Sequence, residues 1–246
     1  MKKLLLNTLV LAFAAATLMS CEKSTDNPKP SDPIADKKWV VYYKDVILGD
    51  QNNYTNGHFL KSKTGEVIKL ENSSSQQNAL TMMFFREYGG NVVFTFPGNA
   101  WEAQTIKNDT IDNPNRLIYQ STLGTNFWSA TNLNTGELKY AGTLDGDMTS
   151  SEFNTLAASL NWSDFDATFK SYNSGDANLS FVNNYIFPSN GDIYQIQLND
   201  EIRAFLLVKN VTKSPTNGSM RYDLIIEGGE EFVANPSTTH INPGKD

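Results

Sequence analysis

The 246-residue sequence predicts one mainly β, antiparallel domain, sandwich-like or an open barrel, with one short amphipathic helix. The clearest observation lies in the last third of the chain, where apolar and polar residues alternate along three successive runs. Residues 193–198 and 201–211 are joined by Asn199-Asp200, which is typical of a tight hairpin, and residues 221–227 follow a seven-residue loop. This pattern predicts a meander with one buried face.

The second observation is a helix signal near residue 150. Thr149 and Glu152 have capping-box spacing, in which each side chain binds a backbone N–H of the other residue. The apolar residues that follow recur at helical spacing and predict one buried face: Phe153, Leu156, Ala157 and Leu160. We expect this helix to end near Asn161.

The third observation is a series of β-branched and aromatic runs between residues 39 and 96. Residues 39–48 predict a long first strand, and the polar run 72–78 predicts a loop. Lys63-Thr64-Gly65 predicts a hairpin turn with the glycine at positive φ. Further strands are expected at residues 58–62, 66–70, 80–86, 91–96, 116–120 and 137–142.

One segment fits two interpretations. In residues 163–172, Phe165, Ala167 and Phe169 alternate and would share one face of a strand, although a helix is also possible. As a strand, the segment would also place Asp164 and Asp166 together on the opposite face.

The N-terminus resembles a bacterial lipoprotein signal peptide. Lys2 and Lys3 precede an apolar run that is too short for a transmembrane helix, and Leu18-Met19-Ser20-Cys21 resembles a lipobox. The resemblance implies removal of residues 1–20 and acylation of Cys21, the only cysteine. An uncleaved membrane anchor is the alternative. Two or three acyl chains would hold the protein stably on a membrane, where one chain holds only marginally.

The remaining chain divides into three expected parts. Residues 21–37 are polar and proline-rich and predict a lipid-anchored tether; residues 38–230 form one β-rich domain; residues 231–246 form a flexible tail. Without Lys2 and Lys3 the 20 basic residues become 18 against 27 acidic ones, a formal charge of −9. That balance argues against a nucleic-acid partner.

The order of short motifs resembles surface lipoproteins of Bacteroidetes. The motifs run from Gly49-Asp50-Gln51-Asn52-Asn53 and Gly57-His58-Phe59, through Phe84-Phe85, to a hairpin containing Phe205-Leu206-Leu207-Val208. Glu22 and Asp26 resemble the export signal of that group. Asp109-Thr110-Ile111 resembles its O-glycosylation site at Thr110, although a polar turn explains the same three residues.

More distantly, the layout is similar to HmuY-like heme-binding lipoproteins. That resemblance implies heme ligands of the His or Met type, for which His58 with Met82 or Met83 is conceivable. The Trp-Asp pair that tends to follow the first hairpin in that family is replaced here by the strand that contains both methionines. Because adjacent residues of a strand face opposite sides, at most one methionine could share a pocket with His58. We therefore expect no cofactor, and heme binding stays an alternative.

Catalytic signals are weak. His58 is the only histidine in the expected domain, and no nucleophile-elbow or zinc-protease motif surrounds it. Asp164 and Asp166 could act as a glycosidase pair only across a cleft, and a solvated strand face is the simpler interpretation. Asp145-Gly146-Asp147 begins like an EF-hand loop but lacks the carboxylate at its twelfth position. We expect neither an enzyme nor a metal site.

Aromatic side chains are the remaining candidates for binding. Trp101 and Trp128 each follow a turn and are candidates for an exposed platform on which a sugar ring stacks, whereas Trp39 and Trp162 look like core or boundary residues. The sequence therefore predicts an outer-membrane, lipid-anchored lipoprotein that binds a nutrient such as a glycan at the cell surface or periplasmic face. A structural or adhesive surface subunit is the main alternative.

Overall fold

The computed structural model describes residues 39–87, 90–99, 133–143, 146–173, 185–199, 202–228 and 239–243. The strands of the first half are β1 Trp39–Gly49, β2 Phe59–Lys61, β3 Glu66–Ile68, β4 Met82–Arg86, β5 Val92–Thr95 and β6 Gly136–Tyr140. Those of the second half are β7 Gly142–Thr143, β8 Gly146–Asp147, β9 Tyr185–Ile186, β10 Ile193–Leu198, β11 Ile202–Thr212, β12 Ser219–Gly228 and β13 Thr239–Pro243. The helices are α1 Ser150–Ser159 and α2 Trp162–Asn173, with short 3-10 helices at Leu70–Asn72 and Ser74–Ala79.

Two antiparallel sheets form the frame of the fold. The first has the strand order β13-β1-β12-β11-β10-β6, and the second has the order β3-β2-β4-β5-β9. Strands β7 and β8 form a separate two-stranded ribbon before α1. Neither large sheet closes on itself within the described residues, so the predicted mainly β, sandwich-like class is confirmed.

The main core lies between the two sheets and depends on a bulge in β1. Before the bulge, Val41 and Tyr43 point into this core; after it, Val46 and Leu48 do. The pairing of β1 with β12 skips a residue between Tyr43 and Val46, and Asp45 has a φ of 55°. The extra residue shifts the alternation, so both halves of a long strand bury side chains on the same face.

The other face of the first sheet is also buried. Phe205 and Ile225 point away from the second sheet and pack with Phe153 of α1 and Phe165 of α2. The expectation of a meander with one buried face was therefore wrong, because a helical layer covers the second face. Strands buried on both sides favour nearly continuous apolar runs, such as residues 204–208 of β11.

Helix α1 confirms the predicted capping box. The Glu152 backbone N–H donates to the Thr149 hydroxyl at 3.2 Å, and the Thr149 N–H donates to the Glu152 carboxylate at 2.7 Å. Phe153, Leu156 and Ala157 are buried as expected. The helix ends at Leu160, whose φ of 46° breaks the helical path one residue before the predicted end.

Residues 163–172 form a helix, so the strand interpretation was wrong. In α2, Phe165 and Phe169 are one turn apart and buried, whereas Ala167 lies on the exposed side. The i, i+4 spacing of the two phenylalanines lets both stack against Phe205 of β11, at 5.6 and 5.4 Å between ring centroids.

Three smaller features complete the comparison with the sequence. The expected hairpin between β2 and β3 is confirmed, with Gly65 at a φ of 69°. The predicted loop at residues 72–78 lies largely within the 3-10 helices, the first of which begins at Leu70, a residue of the core beneath the second sheet. Part of the predicted tail, β13, pairs with β1, while the predicted strand at 116–120 lies outside the described residues.

Candidate functional site

The motif that carries the family resemblance forms a buried polar cluster at the end of β1. Asp50 is fully buried, and its carboxylate accepts from Arg86 Nε at 3.0 Å. Arg86 also donates to the carbonyls of Gly90 and Ser214, so it joins β4 to the loop between β11 and β12. The Gln51 side chain forms two hydrogen bonds with the Arg86 backbone: its amide N–H donates to the Arg86 carbonyl, and its oxygen accepts from the Arg86 N–H.

Asn53 and His58 belong to the same polar cluster. The Asn53 amide donates to the carbonyl of Gly218 at 3.0 Å, and its oxygen accepts from the N–H groups of Thr55 and Asn56. His58 Nδ1 lies 3.0 Å from the carbonyl of Gly49. This motif therefore joins loops of the fold, and the polar atoms of the motif face other parts of the chain.

Burial controls the charge of both titratable groups in this cluster. Burial raises the pKa of Asp50, and the Arg86 guanidinium opposes that rise. Burial also lowers the pKa of His58, against a smaller raising effect of the Gly49 carbonyl. His58 is therefore a neutral interior histidine that donates from Nδ1 to Gly49 at neutral pH.

The three heme-ligand candidates are all interior residues. His58, Met82 and Met83 are 5%, 0% and 1% exposed. Met82 lies in the core between the sheets and Met83 in the core beneath the second sheet, so the expected opposite orientation is confirmed. A heme bound at these positions would require them to leave their packing.

Asp164 and Asp166 do not share a face as they would on a strand. Side chains that are two residues apart on a helix point in different directions. Asp164 is exposed. Asp166 accepts from Lys170 at 2.7 Å and from Arg203 of β11 at 2.8 Å. Arg203 also forms a bidentate pair with Glu227 and lies 5.2 Å above the Phe169 ring. This network attaches α2 to the first sheet.

Several sequence-predicted positions lie outside the described residues. They are the lipidation site Cys21, the platform candidates Trp101 and Trp128, and the glycosylation candidate Thr110, and all stay predictions. Trp39 and Trp162 are half-buried, as expected of boundary residues. In the described part of the chain, no group of three acidic, histidine or cysteine residues is placed to hold a metal ion.

An exposed aromatic edge appears where both sheets end. Within the described residues, strand β6 is the last of the first sheet, β9 is the last of the second, and the two strands contact each other. Tyr140, Tyr185 and Phe187 are 50%, 46% and 47% exposed there. We call these three residues the aromatic edge; they are three of the five large apolar or aromatic side chains that are exposed in the described residues.

Tyr140 packs against the protein on one side at this edge. Its ring lies 4.6 Å from the buried ring of Tyr194, and the hydroxyls of both residues donate to the Asp192 carboxylate, at 3.4 and 2.7 Å. The backbone N–H of Ser189 donates to the same carboxylate at 3.0 Å. One face of Tyr140 therefore rests on the protein, and its exposed remainder borders a fixed carboxylate.

Tyr185 and Phe187 extend the edge on the second sheet. They flank Ile186, which is 7% exposed and packs between the sheets, so both aromatic rings face outward. Their rings contact edge to face at 5.5 Å. The Tyr-Ile-Phe spacing was visible in the sequence, but only the sheet order shows that β9 is an edge strand.

The fold and this edge define the class of the protein: a two-sheet antiparallel β sandwich with a helical layer on one face. Within the described residues, no helix has the length and apolar character needed to cross a bilayer. No protein-family model, no curated protein and no solved structure matches the chain.

Proposed function

We propose that the chain is an extracytoplasmic binding module, anchored to the outer membrane through lipidated Cys21, whose ligand is a glycan. The observation that carries the proposal is the aromatic edge formed by Tyr140, Tyr185 and Phe187. Exposed aromatic side chains grouped at one end of a fold are typical of a binding site. The lipobox resemblance and the expected tether support the outer-membrane location of this proposal.

The chemistry of the edge suits a sugar. The C–H face of a sugar ring packs on a flat aromatic face, and its hydroxyls need acceptors beside that face. Tyr140 offers a ring that is already fixed against Tyr194, with the Asp192 carboxylate next to it. A side chain fixed before binding loses little conformational entropy when the ligand arrives.

A thermal-melt panel of polysaccharides on residues 22–246 tests this proposal. A ligand at about a hundred times its dissociation constant adds ~2.7 kcal/mol of stability. At ~2 to 4 °C per kcal/mol for a domain of this size, the melting temperature should rise by ~5 to 10 °C. No shift with any polysaccharide would contradict the glycan proposal.

Variants locate the binding site. Tyr140→Ala and Phe187→Ala should each remove most of the shift, whereas Tyr140→Phe keeps the stacking ring and should retain most of it. Tyr54→Ala is the matched control, because Tyr54 is 83% exposed on the loop after β1. Strand β1 lies four strand positions from β6 in the first sheet, about 19 Å away. Equal losses in the control and the edge variants would refute the assignment.

A structural or adhesive subunit is the second candidate, favoured by the same edge. Strands β6 and β9 each lack a neighbour on their outer side within the described residues. Open strand edges can pair with another chain. Light scattering separates the candidates: self-association that Tyr140→Ala abolishes, without any polysaccharide shift, would favour the structural role.

A further inference from the structure

The groove between α1 and α2 is a second surface with the form of a binding site. It has a volume of about 480 Å³, within the range of roughly 300 to 1,000 Å³ that small-molecule sites occupy. Leu156, which is 5% exposed, forms part of its wall, and Tyr172 lines it with a half-buried ring. The groove belongs to the helical layer, and the backbone carbonyl of Tyr172 accepts from Lys139 of β6 at 2.8 Å.

Three serine and threonine hydroxyl groups along the groove have their protons engaged by the protein. Thr155 donates to the carbonyl of Ser151 at 2.9 Å, and Ser159 donates to the carbonyl of Leu156 at 3.1 Å. Ser171 likewise donates to its own helix, at 2.8 Å. Because a hydroxyl carries one proton, each of these oxygens can only accept from a further group.

The charged groups of the groove are also acceptors. The Glu152 carboxylate accepts from Thr149 and from the Tyr172 hydroxyl, and the Thr149 hydrogen bonds lower its pKa. Asp164 supplies a second carboxylate. Among the described residues that line the groove, none is Lys, Arg or His. Lys170, close in sequence, is paired with Asp166 at 2.7 Å.

The two carboxylates lie toward opposite ends of the groove. Glu152 is in the first turn of α1 beside Tyr172, which is in the last turn of α2. Asp164 is in the first turn of α2, and Ser159, at the end of α1, lines the groove with it. Seven helical residues separate Glu152 from Ser159, which corresponds to about 10 Å along the axis of α1.

We propose that this groove binds a linear aliphatic diamine. Such a ligand carries donors and positive charge at both ends, which matches the two carboxylates, and a methylene chain that can lie on Leu156. The Tyr172 ring can add a cation–π contact at one end. A dianion would meet like charge and acceptor oxygens and should be excluded.

Isothermal titration of residues 22–246 at low ionic strength tests the proposal with three probes of equal length. Hexamethylenediamine should bind, its neutral hexanediol analogue should bind at least tenfold more weakly, and adipate should give no heat. Absence of diamine binding at millimolar concentration would overturn the proposal. Equal binding of diol and diamine would overturn the role of charge and indicate a polyol site instead.

Charge-neutralising variants place the diamine in the groove. Asp164→Asn and Glu152→Gln should each weaken diamine binding at least tenfold, and Gln at position 152 can still complete the capping box. Glu66→Gln is the control: it removes the same charge on β3, where Glu66 pairs with Lys61 in solvent. Unchanged affinity in both groove variants, or an equal loss in the control, would refute the site. Tyr140→Ala should leave diamine binding intact, so the two proposals fail separately.

Discussion

The strongest stability prediction concerns the Arg86→Met substitution. Arg86 Nε donates to Asp50 at 3.0 Å, in a pair whose side chains are 10% and 0% exposed. Methionine fills similar volume without charge. The variant would leave a fully buried carboxylate whose remaining donor in this cluster is the backbone N–H of Asn52, at 3.1 Å.

The expected cost follows from the burial of the surviving charge. Removing one partner of a buried ion pair destabilises a protein by about 3 to 5 kcal/mol, because the other charge stays desolvated without compensation. At ~2 to 4 °C per kcal/mol, the melting temperature should fall by ~6 to 20 °C. Asp50→Asn should cost less, ~2 kcal/mol, because Arg86 keeps the carbonyls of Gly90 and Ser214 and loses one charged hydrogen bond.

The assay is urea unfolding of wild type and variants at neutral and acidic pH. In Arg86→Met the buried carboxylate has lost its cation, so its folded-state pKa should rise further and the folded protein should bind a proton more readily than the unfolded chain. Its deficit relative to wild type should therefore shrink as the pH falls. Lys61→Met removes the pair with Glu66, whose carboxylate side chain is 54% exposed, and should cost at most about 1 kcal/mol. Equal costs for Arg86→Met and Lys61→Met would refute the reasoning.

Two further predictions concern the helix cap and the buried histidine. Thr149→Ala should cost ~1 kcal/mol, a drop of a few degrees in melting temperature, because it removes the α1 cap; Thr155→Ala, in the exposed middle of the same helix, should change the melting temperature little. Burial lowers the folded-state pKa of His58, so the unfolded chain binds more protons as the pH falls through about 6.5, and stability is lost below that pH. Urea unfolding should show a smaller acid-induced loss for His58→Gln than for wild type, and equal losses would contradict the assignment of His58 as a buried neutral group.

The sequence predicts the local elements better than the layers. The capping box at Thr149 and the hairpin turn at Gly65 are local signals, and both are confirmed. The helical layer has no such local signal, because Phe205 and Ile225 pack against α1 and α2, which are distant in the chain. A run that is apolar at every position does not reveal which partner covers its second face.

The error at residues 163–172 has a specific physical origin. Phe165 and Phe169 are separated by four residues, a spacing that places them on one face of either a strand or a helix. Packing decides between the two: a helix lets both rings contact Phe205 and lets Asp166 reach Arg203 at 2.8 Å. These contacts join segments almost forty residues apart, so no local pattern contains them.

The exposed aromatic edge was missed for a related reason. Tyr140, Tyr185 and Phe187 resemble any other aromatic residues of short strands until the sheet order shows that, within the described residues, β6 and β9 are terminal. Residue type and a position after a turn favoured Trp101 and Trp128, which lie outside the described residues. Exposure is a property of the assembled sheets, and it selects different candidates within the described residues.

The buried polar cluster and the aromatic edge differ in what a substitution would change. Asp50, Gln51 and His58 form the most recognisable motif in the chain, yet all three are at least 95% buried and bonded to other loops. Substituting them would change the free energy of unfolding before it changed any surface. Tyr140 and Phe187, in contrast, are about half exposed, and their outer faces are not needed by the core. Substitutions in the motif should therefore affect folding, whereas substitutions at the aromatic edge should leave the core intact.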